Sequence, residues 1–310
     1  MMSKLVAVFL GVFFLMCSLC YAGYPEDGFG KAQLPDGSVY EGNFKNGLFD
    51  GKGILTQKGI KIYEGHFKEG LFNGYGVRRS LDGDMWQGEF RDGLLNGKGI
   101  ITGANGDTWE GEFKEGDLNG RGIATRSNGD QYKGEFKNSV FHGWGVLIYH
   151  DGSRFEGEFK EGRLNGKGTA ILFNGDKYEG EFKDGFYNGR GVFIYLDGTK
   201  YEGEFKDNRY HGTGVLTSSR RDQYKGEFKD GKFHGVGIYT YVSGIKYEGH
   251  FKDGRYSGKG VLIYPNGDKY EGEFKEGAPI GEITYTSPEG AVTKGEFRNE
   301  KFYPSKNQNK

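Results

Sequence analysis

A phrase that recurs every 23 residues is the feature that most constrains this chain. Residues 175–185 read GDKYEGEFKDG, and residues 267–277 read GDKYEGEFKEG four periods later. Self-similarity at a fixed period indicates a repeat architecture, in which each unit packs mainly against its neighbours. An aromatic residue opens each of eleven copies: Tyr40, Tyr63, Trp86, Trp109, Tyr132, Phe155, Tyr178, Tyr201, Tyr224, Tyr247 and Tyr270.

We number each repeat from its opening aromatic residue, which is position 1. Position 3 is Gly and position 5 is Phe in every copy, including a worn twelfth copy that opens at Thr293. Position 12 is Gly from Gly51 through Gly281, and position 14 is Gly from Gly53 until Ile283 replaces it. Positions 3, 5, 12 and 14 therefore keep the same residue type along almost the whole chain.

The period suits two short strands and two turns. Positions 1–6 (YEGEFK) alternate apolar and charged residues, which predicts a strand with unlike faces. Positions 12–18 predict a second strand, and positions 7–10 and 19–22 (often xNGD) predict turns. Composition agrees, because 58 glycines disfavour helix while 21 Tyr, 25 Phe and 3 Trp supply apolar surface that a disordered chain would lack.

The residue types also predict a register. We expect position 5 to lie opposite position 12, position 3 opposite 14 and position 1 opposite 16. Position 4 would then meet position 13, as in the pairs Glu89–Lys98, Glu112–Arg121, Glu158–Lys167 and Glu181–Arg190.

Each Phe ring is expected to cover glycine backbone, since a single layer offers no second layer to bury it. Phe182 would lie near Gly189 of its own hairpin and near Gly168 of the preceding repeat. Glycine is otherwise unfavourable within strands, so its regular use calls for such a steric reason. The predicted structural residues are Gly134, Phe136, Gly157, Phe159, Gly180, Phe182, Gly189, Gly191, Gly203 and Phe205.

This unit, YEGEFKDGxxHGxGxxxxxxG, resembles the MORN repeat family, and residues 136–145 and 224–237 carry the motif well. The resemblance covers nearly all of residues 24–300. It implies an all-β fold, an elongated, single-layer, twisted antiparallel sheet of about eleven to twelve successive 23-residue hairpins. The predicted organisation is a half-repeat cap (23–39), eleven repeats (40–292), a degenerate C-terminal cap (293–303) and a disordered tail (304–310).

The N-terminus has the pattern of a signal peptide. Lys4 precedes an apolar run over residues 5–19, and Ala22 is a suitable small residue before a cleavage site. We expect residues 1–22 to be removed and the chain to be exported to a periplasm, a secretory lumen or the cell exterior. The alternative is an uncleaved membrane anchor, for which the run is short. Both cysteines lie in this leader, so thiol chemistry and disulfides are excluded from the mature chain.

Catalysis, cofactors and nucleic acid are not predicted. The 42 basic and 43 acidic residues are interspersed, with no basic block to bind phosphates. No nucleophile-elbow, phosphate-loop or zinc-protease motif occurs. The paired Glu residues at positions 2 and 4 lie about 6.7 Å apart on one strand face, but they recur in most repeats, which indicates a solvated charge ladder.

Two metal-site hypotheses are also disfavoured. His142, His211 and His234 share position 11, where equivalent residues are two strands apart, about 9.6 Å, too far to share a metal ion easily. The NGD turns are explained by turn chemistry, without calcium. No metal or cofactor is therefore predicted.

The aromatic face differs from these candidates, because one layer of sheet leaves apolar surface facing water. We expect an exported, non-catalytic scaffold that binds a protein partner, or a second copy of itself, along an aromatic groove. The alternatives are a membrane or phospholipid surface binder and, more remotely, a carbohydrate-binding surface; mutual stacking of the rings would leave less to bind. The predicted groove residues are Tyr132, Tyr149, Phe155, Tyr178, Tyr195, Tyr201, Tyr224, Tyr241, Tyr247 and Tyr264.

Overall fold

The computed structural model describes residues 24–298 and 301–305. The predicted signal peptide and residues 306–310 of the predicted tail lie outside these residues. All regular secondary structure in the described part is β-strand, and no helix there is long and apolar enough to cross a membrane. The prediction of an all-β repeat fold is confirmed.

The described chain divides into two compact units, one ending at Arg163 and the other beginning at Leu164. The strands of the first unit are β1 (Gly28–Gln33), β2 (Val39–Lys45), β3 (Leu48–Gln57), β4 (Ile60–Lys68), β5 (Leu71–Arg79), β6 (Met85–Arg91), β7 (Leu94–Thr102), β8 (Thr108–Lys114), β9 (Asp117–Thr125), β10 (Gln131–Lys137), β11 (Val140–Ile148) and β12 (Arg154–Lys160).

Strand β13 (Arg163–Ile171) begins at the boundary and runs into the second unit. The remaining strands are β14 (Lys177–Lys183), β15 (Phe186–Ile194), β16 (Lys200–Lys206), β17 (Arg209–Thr217), β18 (Gln223–Lys229), β19 (Lys232–Thr240), β20 (Lys246–Lys252), β21 (Arg255–Ile263), β22 (Lys269–Lys275), β23 (Ala278–Thr286), β24 (Val292–Arg298) and β25 (Lys301–Pro304).

Within each unit every strand pairs antiparallel with the next strand in the chain. The hairpin turn is tighter than predicted. It occupies positions 7 and 8 alone, as at Asp184 (φ 52°) and Gly185 (φ 87°). Two consecutive residues with positive φ form the two-residue turn whose twist matches that of the strands, so the second strand already begins at position 9.

The turn at positions 19–22 follows the prediction and has a further role. In the NGD turn of the sixth repeat, the Asp176 N–H donates to Asn174 Oδ1 (3.1 Å), as turn chemistry requires. The Asp176 carboxylate in turn accepts the N–H of Leu196, at position 19 of the next repeat (2.9 Å). Equivalent backbone N–H to carboxylate hydrogen bonds between neighbouring repeats join Ala104 to Asp84, Ser127 to Asp107, His150 to Asp130 and Val242 to Asp222.

At Asp130 the hydrogen bond between repeats stabilises the ionised form of the turn aspartate. The pKa of Asp130 is lowered to about 2, chiefly because the backbone N–H of His150 donates to its carboxylate. The imidazole of His150 adds a second contact with the same oxygen at 3.0 Å. The recurrence of Asp at position 22 is therefore explained by its hydrogen bond to the backbone of the next repeat.

The register agrees with the prediction at two positions and differs at the third. Tyr178 pairs with Phe193 and Gly180 with Gly191, as expected for positions 1, 16, 3 and 14. A β-bulge follows Gly180, so that Phe182 pairs with position 10 instead of Gly189. The predicted pairing of positions 5 and 12 within a hairpin is therefore wrong.

The bulge depends on glycine at position 12. Gly189 has φ +67° and pairs with Phe205 of the following repeat. Residues other than glycine rarely adopt this backbone conformation. Phe182 likewise lies opposite Gly166, not the predicted Gly168.

The bulge also moves the charged pairs. Glu181 lies opposite Lys167 of the preceding repeat, and Glu204 lies opposite Arg190, so the predicted pairing within one hairpin is wrong. At the bulge the position-4 glutamate accepts a hydrogen bond from a backbone N–H instead. Glu227 Oε1 accepts the N–H of Val236 at 3.1 Å, which satisfies a donor that the irregular ladder leaves free.

The chain ends extend the sheet beyond the eleven repeats. Strand β1, in the predicted half-repeat cap, pairs with β2. In the predicted C-terminal cap, β24 pairs antiparallel with β25. Pro304, the first residue of the predicted tail, ends β25, and Ser305 donates its N–H to the carbonyl of Lys294 (2.8 Å).

Candidate functional site

Within each unit, one face of the sheet carries the aromatic residues at positions 1, 5, 10, 16 and 18, and we call it the ring face. Positions 2, 4, 13, 15 and 17 lie on the opposite face and are mostly charged or aliphatic. Neighbouring strands bring positions 16 and 1 opposite each other, as in Phe193 and Tyr201. The ring face is therefore a continuous surface within each unit.

Most opening tyrosines cover the glycine pair at positions 3 and 14. A Cβ built on Gly191 would lie 2.6 Å from Tyr178 Oη and 2.7 Å from its Cζ, so only glycine leaves room for the ring. A Cβ on Gly180 would meet the same hydroxyl at 2.5 Å. The hydroxyl donates to the carbonyl oxygen of Glu181 at 2.8 Å.

Further rings then enclose this tyrosine. Tyr187 at position 10 stacks on Tyr178 with ring centroids 3.9 Å apart. Phe182 and Phe205 present their edges to it at 5.1 and 5.0 Å, and both phenylalanines are buried. The ring that covers the glycine pair is thus Tyr, not the predicted Phe, and the phenylalanines form its walls.

Five of the predicted groove residues lie beneath this aromatic layer. Tyr132, Tyr178, Tyr201, Tyr224 and Tyr247 are at most 1% exposed, and so they do not line an accessible groove. The physical reason is that each ring folds back onto its own glycine pair. Burial raises the pKa of Tyr247 to about 12.

Two repeats of the first unit use a different packing. In them Leu95 or Leu118, at position 10, covers the glycine pair; a Cβ on Gly99 would lie 3.2 Å from Leu95 Cδ2. The opening residues Trp86 and Trp109 are therefore displaced and stay half-buried on the ring face. Sequence reasoning missed this arrangement, although both Trp-opened repeats have Leu at position 10.

The last full repeat is a third variant. Ile283 replaces the glycine of position 14, is fully buried, and its Cδ1 occupies the space where a Cβ of Gly272 would point. The opening residue, Tyr270, is correspondingly half-buried. The identity of the side chain over the glycine pair thus decides whether the opener is accessible.

The other five predicted groove residues are accessible. Tyr195 and Tyr241, at position 18, are 37% and 38% exposed, and Tyr149 is similarly exposed. Phe155 and Tyr264 are half-buried; Phe155 packs its edge against Tyr149 with centroids 5.7 Å apart. Position 18, unlike position 1, therefore contributes to the outer surface.

In the second unit these tyrosines form pairs between repeats. Tyr210 donates its hydroxyl hydrogen bond to Tyr195 Oη at 2.7 Å, and the Tyr241 and Tyr256 hydroxyls are also 2.7 Å apart. Exposed apolar residues follow at position 19, where Leu196 is 76% exposed and Val242 is also exposed. We call Tyr195, Leu196, Tyr210, Tyr241, Val242 and Tyr256 the tyrosine rim.

The opposite face offers shallow polar depressions. Two of them, in the first unit, have volumes of about 660 and 620 Å³. The second is lined by Glu89, Lys98, Glu112 and Lys114 together with asparagines and glycines. Over residues 24–298 and 301–305, no three His, Cys, Asp or Glu side chains are placed to hold a metal ion.

Successive hairpins with a regular glycine-and-ring pattern define a β-repeat scaffold. The chain belongs to the MORN repeat family, whose repeat is generally a non-catalytic module. The family model matches residues 40–58, 63–85, 86–108, 109–131, 132–154, 155–177, 178–200, 201–222, 224–246, 247–269 and 270–292.

No curated protein matches this chain significantly. Among solved structures, the TCP domain of Drosophila melanogaster SAS-4, in complex with a proline-rich motif of Ana2, is 12% identical, with a TM-score of 0.34; the match covers 50% of this chain and 85% of that one. The Danio rerio CPAP TCP10 domain, in complex with a STIL peptide, is 12% identical, with a TM-score of 0.35 and coverage of 87% and 100%. A streptogramin B lyase is 14% identical, with a TM-score of 0.17 and coverage of 76% and 83%. Such low TM-scores carry no argument about function.

Proposed function

We propose that this protein is a MORN-repeat scaffold that binds a protein partner on the tyrosine rim. The observation that carries the proposal is an exposed apolar surface with fixed aromatic side chains. Tyr195 and Tyr241 are held by hydroxyl hydrogen bonds to Tyr210 and Tyr256, so they lose little conformational freedom on binding. Exposed aromatic residues of this kind are typical anchors of protein interfaces.

The dimensions of the rim favour an extended partner. Tyr195 and Tyr241 occupy the same position two repeats apart, which is four strand spacings, or about 19 Å. A small ligand would not span this distance, whereas a peptide segment or a second protein surface would. Leu196 and Val242 add apolar area beside the two tyrosines.

Site-specific photocrosslinking tests the proposal. A benzophenone amino acid at Leu196 is expected to give a discrete adduct with a partner in an extract of the source cells. Ile194 is a matched control, because it is 41% exposed and lies on the face opposite Tyr195, whereas Leu196 lies in the turn directly after Tyr195. Excess unlabelled protein should compete away the Leu196 adduct, and mass spectrometry should identify its partner.

The outcomes separate the possibilities. Equal adducts from positions 194 and 196 would contradict the proposal, because the partner would then not prefer the tyrosine rim to the opposite face. An adduct with a second copy of this chain would make self-association the function of the rim. Capture by phospholipid vesicles, with no protein adduct, would favour the alternative of a lipid-surface module.

We also propose that the scaffold acts after export. The basic residue, apolar run and small residues around Ala22 support this. The protein recovered from its source should have Gly23 as its first residue, which intact-mass measurement and N-terminal sequencing would check. Recovery of a chain that still begins at Met1 in a soluble fraction would contradict cleavage and export.

A further inference from the structure

Arg78 breaks the apolar row at position 16 of the ring face. It lies between Tyr63 on one neighbouring strand and Trp86 on the other. In the other ten full repeats position 16 is apolar or aromatic: Leu55, Ile101, Ala124, Leu147, Ala170, Phe193, Leu216, Tyr239, Leu262 and Tyr285. A single cation in such a row is a departure that the fold itself does not require.

The guanidinium of Arg78 is half-buried without a carboxylate partner. Its carbon lies 4.7 Å from the ring centroid of Trp86, and burial lowers its pKa. Within the described part of the chain it has no ion pair and no side-chain hydrogen bond. Arginine stays charged in proteins, so this arrangement costs desolvation that the contact with the indole offsets only in part.

An apolar strip continues from Arg78 across the ring face of the first unit. Trp86 pairs with Ile101, and Ile101 pairs with Trp109 on successive strands. All three residues are half-buried, because Leu95 and Leu118 take the buried positions over the glycine pairs. The strip runs for about 14 Å from the cation, three strand spacings away.

We propose that Arg78 and this strip bind a peptide segment of a protein partner in which an Asp or Glu carboxylate precedes or follows apolar side chains. The guanidinium would donate two parallel N–H···O bonds to the carboxylate, and the apolar side chains would lie on Trp86 and Trp109. This inference rests on the proposed protein-binding function, but not on the tyrosine rim of the second unit. It specifies the residue types that the partner must present, which are an acidic residue beside apolar residues.

Melting temperatures of the full chain test the first consequence. Arg78→Leu restores the apolar residue of other repeats, so it should raise the melting temperature, because a half-buried charge without a carboxylate partner is removed. Arg79→Leu is the matched control, since Arg79 is the next residue and lies on the opposite face opposite Met85. A fall in melting temperature for Arg78→Leu would assign Arg78 a structural role and overturn the proposal.

Selection from a random library of unphosphorylated 12-residue peptides tests the second consequence. Peptides that bind the full chain should be enriched in Asp or Glu next to apolar residues. Changing that acid to its amide, or Arg78 to Gln, should weaken binding by roughly tenfold or more, as expected for loss of a charged hydrogen bond. Arg79→Gln should leave binding unchanged. Fluorescence of the tryptophans, of which Trp86 lies under the cation, reports each titration.

Failure of this inference and failure of the proposed function give different results. Selected peptides without acids, or binding that survives Arg78→Gln, would overturn the carboxylate site while the crosslinking result at Leu196 stands. Loss of the Leu196 adduct, with Arg78-dependent peptide binding retained, would remove the tyrosine rim and keep this site. A library that yields no peptide overturns the inference.

Discussion

Gly191→Ala is expected to destabilise its repeat far more than Gly99→Ala, although both glycines occupy position 14. The added Cβ at residue 191 would lie 2.6 Å from the hydroxyl oxygen of Tyr178. That ring has no room to move, because it is stacked on Tyr187 and its hydroxyl is bonded to a backbone carbonyl. Overpacking of this kind costs about 3 kcal/mol, at the upper end of the usual range.

At Gly99 the neighbour is more adaptable. The added Cβ would lie 3.2 Å from Leu95 Cδ2 and 3.1 Å from the carbonyl oxygen of Gln87. A shift of a few tenths of an ångström by a leucine side chain relieves the first contact. We therefore expect a loss of about 1 kcal/mol, at the lower end of the same range.

Hydrogen exchange measured by mass spectrometry should resolve the two effects, since repeat proteins open locally. Gly191→Ala should accelerate exchange in residues 178–205, and Gly99→Ala should do so much less in residues 86–113. Adding Tyr178→Phe should recover part of the loss at residue 191, because the closest atom is removed. Equal acceleration in both single variants would contradict the two packings over the glycine pair.

The repeat length and residue types suffice to predict the hairpins, because a period of 23 residues leaves space for two strands and two turns. They also predict the pairing of Gly180 with Gly191, which the structure confirms. The β-bulge could not be foreseen, since it depends on the positive φ of Gly189 rather than on alternation of residue types. The error in the charged pairs follows from that bulge.

The repeat pattern also could not predict which aromatic ring covers the glycine pair at positions 3 and 14. Alternation assigns Tyr178 and Phe182 to the same face, but the direction of each ring depends on side-chain torsion angles that alternation does not encode. Tyr178 was therefore predicted to be accessible and is buried, while Tyr195 is accessible as predicted. Arg78 was missed for another reason: a consensus of mostly apolar residues at position 16 conceals a single exception.

The second large effect is expected at alkaline pH. Burial raises the pKa of the opening tyrosines, to about 12 for Tyr40 and Tyr247 and further for Tyr63, Tyr132, Tyr178, Tyr201 and Tyr224. In the unfolded chain each has a pKa near 10. Above pH 10 the unfolded state therefore loses protons that the folded state keeps.

The sign of the effect follows from this difference. The stability contributed by the buried neutral phenols is complete below pH 10 and is lost as the pH rises toward the folded-state values. Each tyrosine lowers the free energy of unfolding by up to about 1.4 kcal/mol per pH unit in that window. Because equivalent tyrosines recur in most repeats, these losses accumulate, and we expect cooperative unfolding between pH 10 and 12.

Two signals recorded in one titration check this expectation. Tyrosinate absorbance and the strand signal in circular dichroism should change together, because the buried phenols ionise only when the sheet opens. Tyr224→Phe should make the pH dependence shallower by one group, while costing about 1 kcal/mol at neutral pH through loss of the hydrogen bond to Glu227. If most tyrosines ionised near pH 10 while the strand signal stayed intact, the phenols would be open to water in the folded protein. The packing of Tyr rings over glycine backbone would then be wrong.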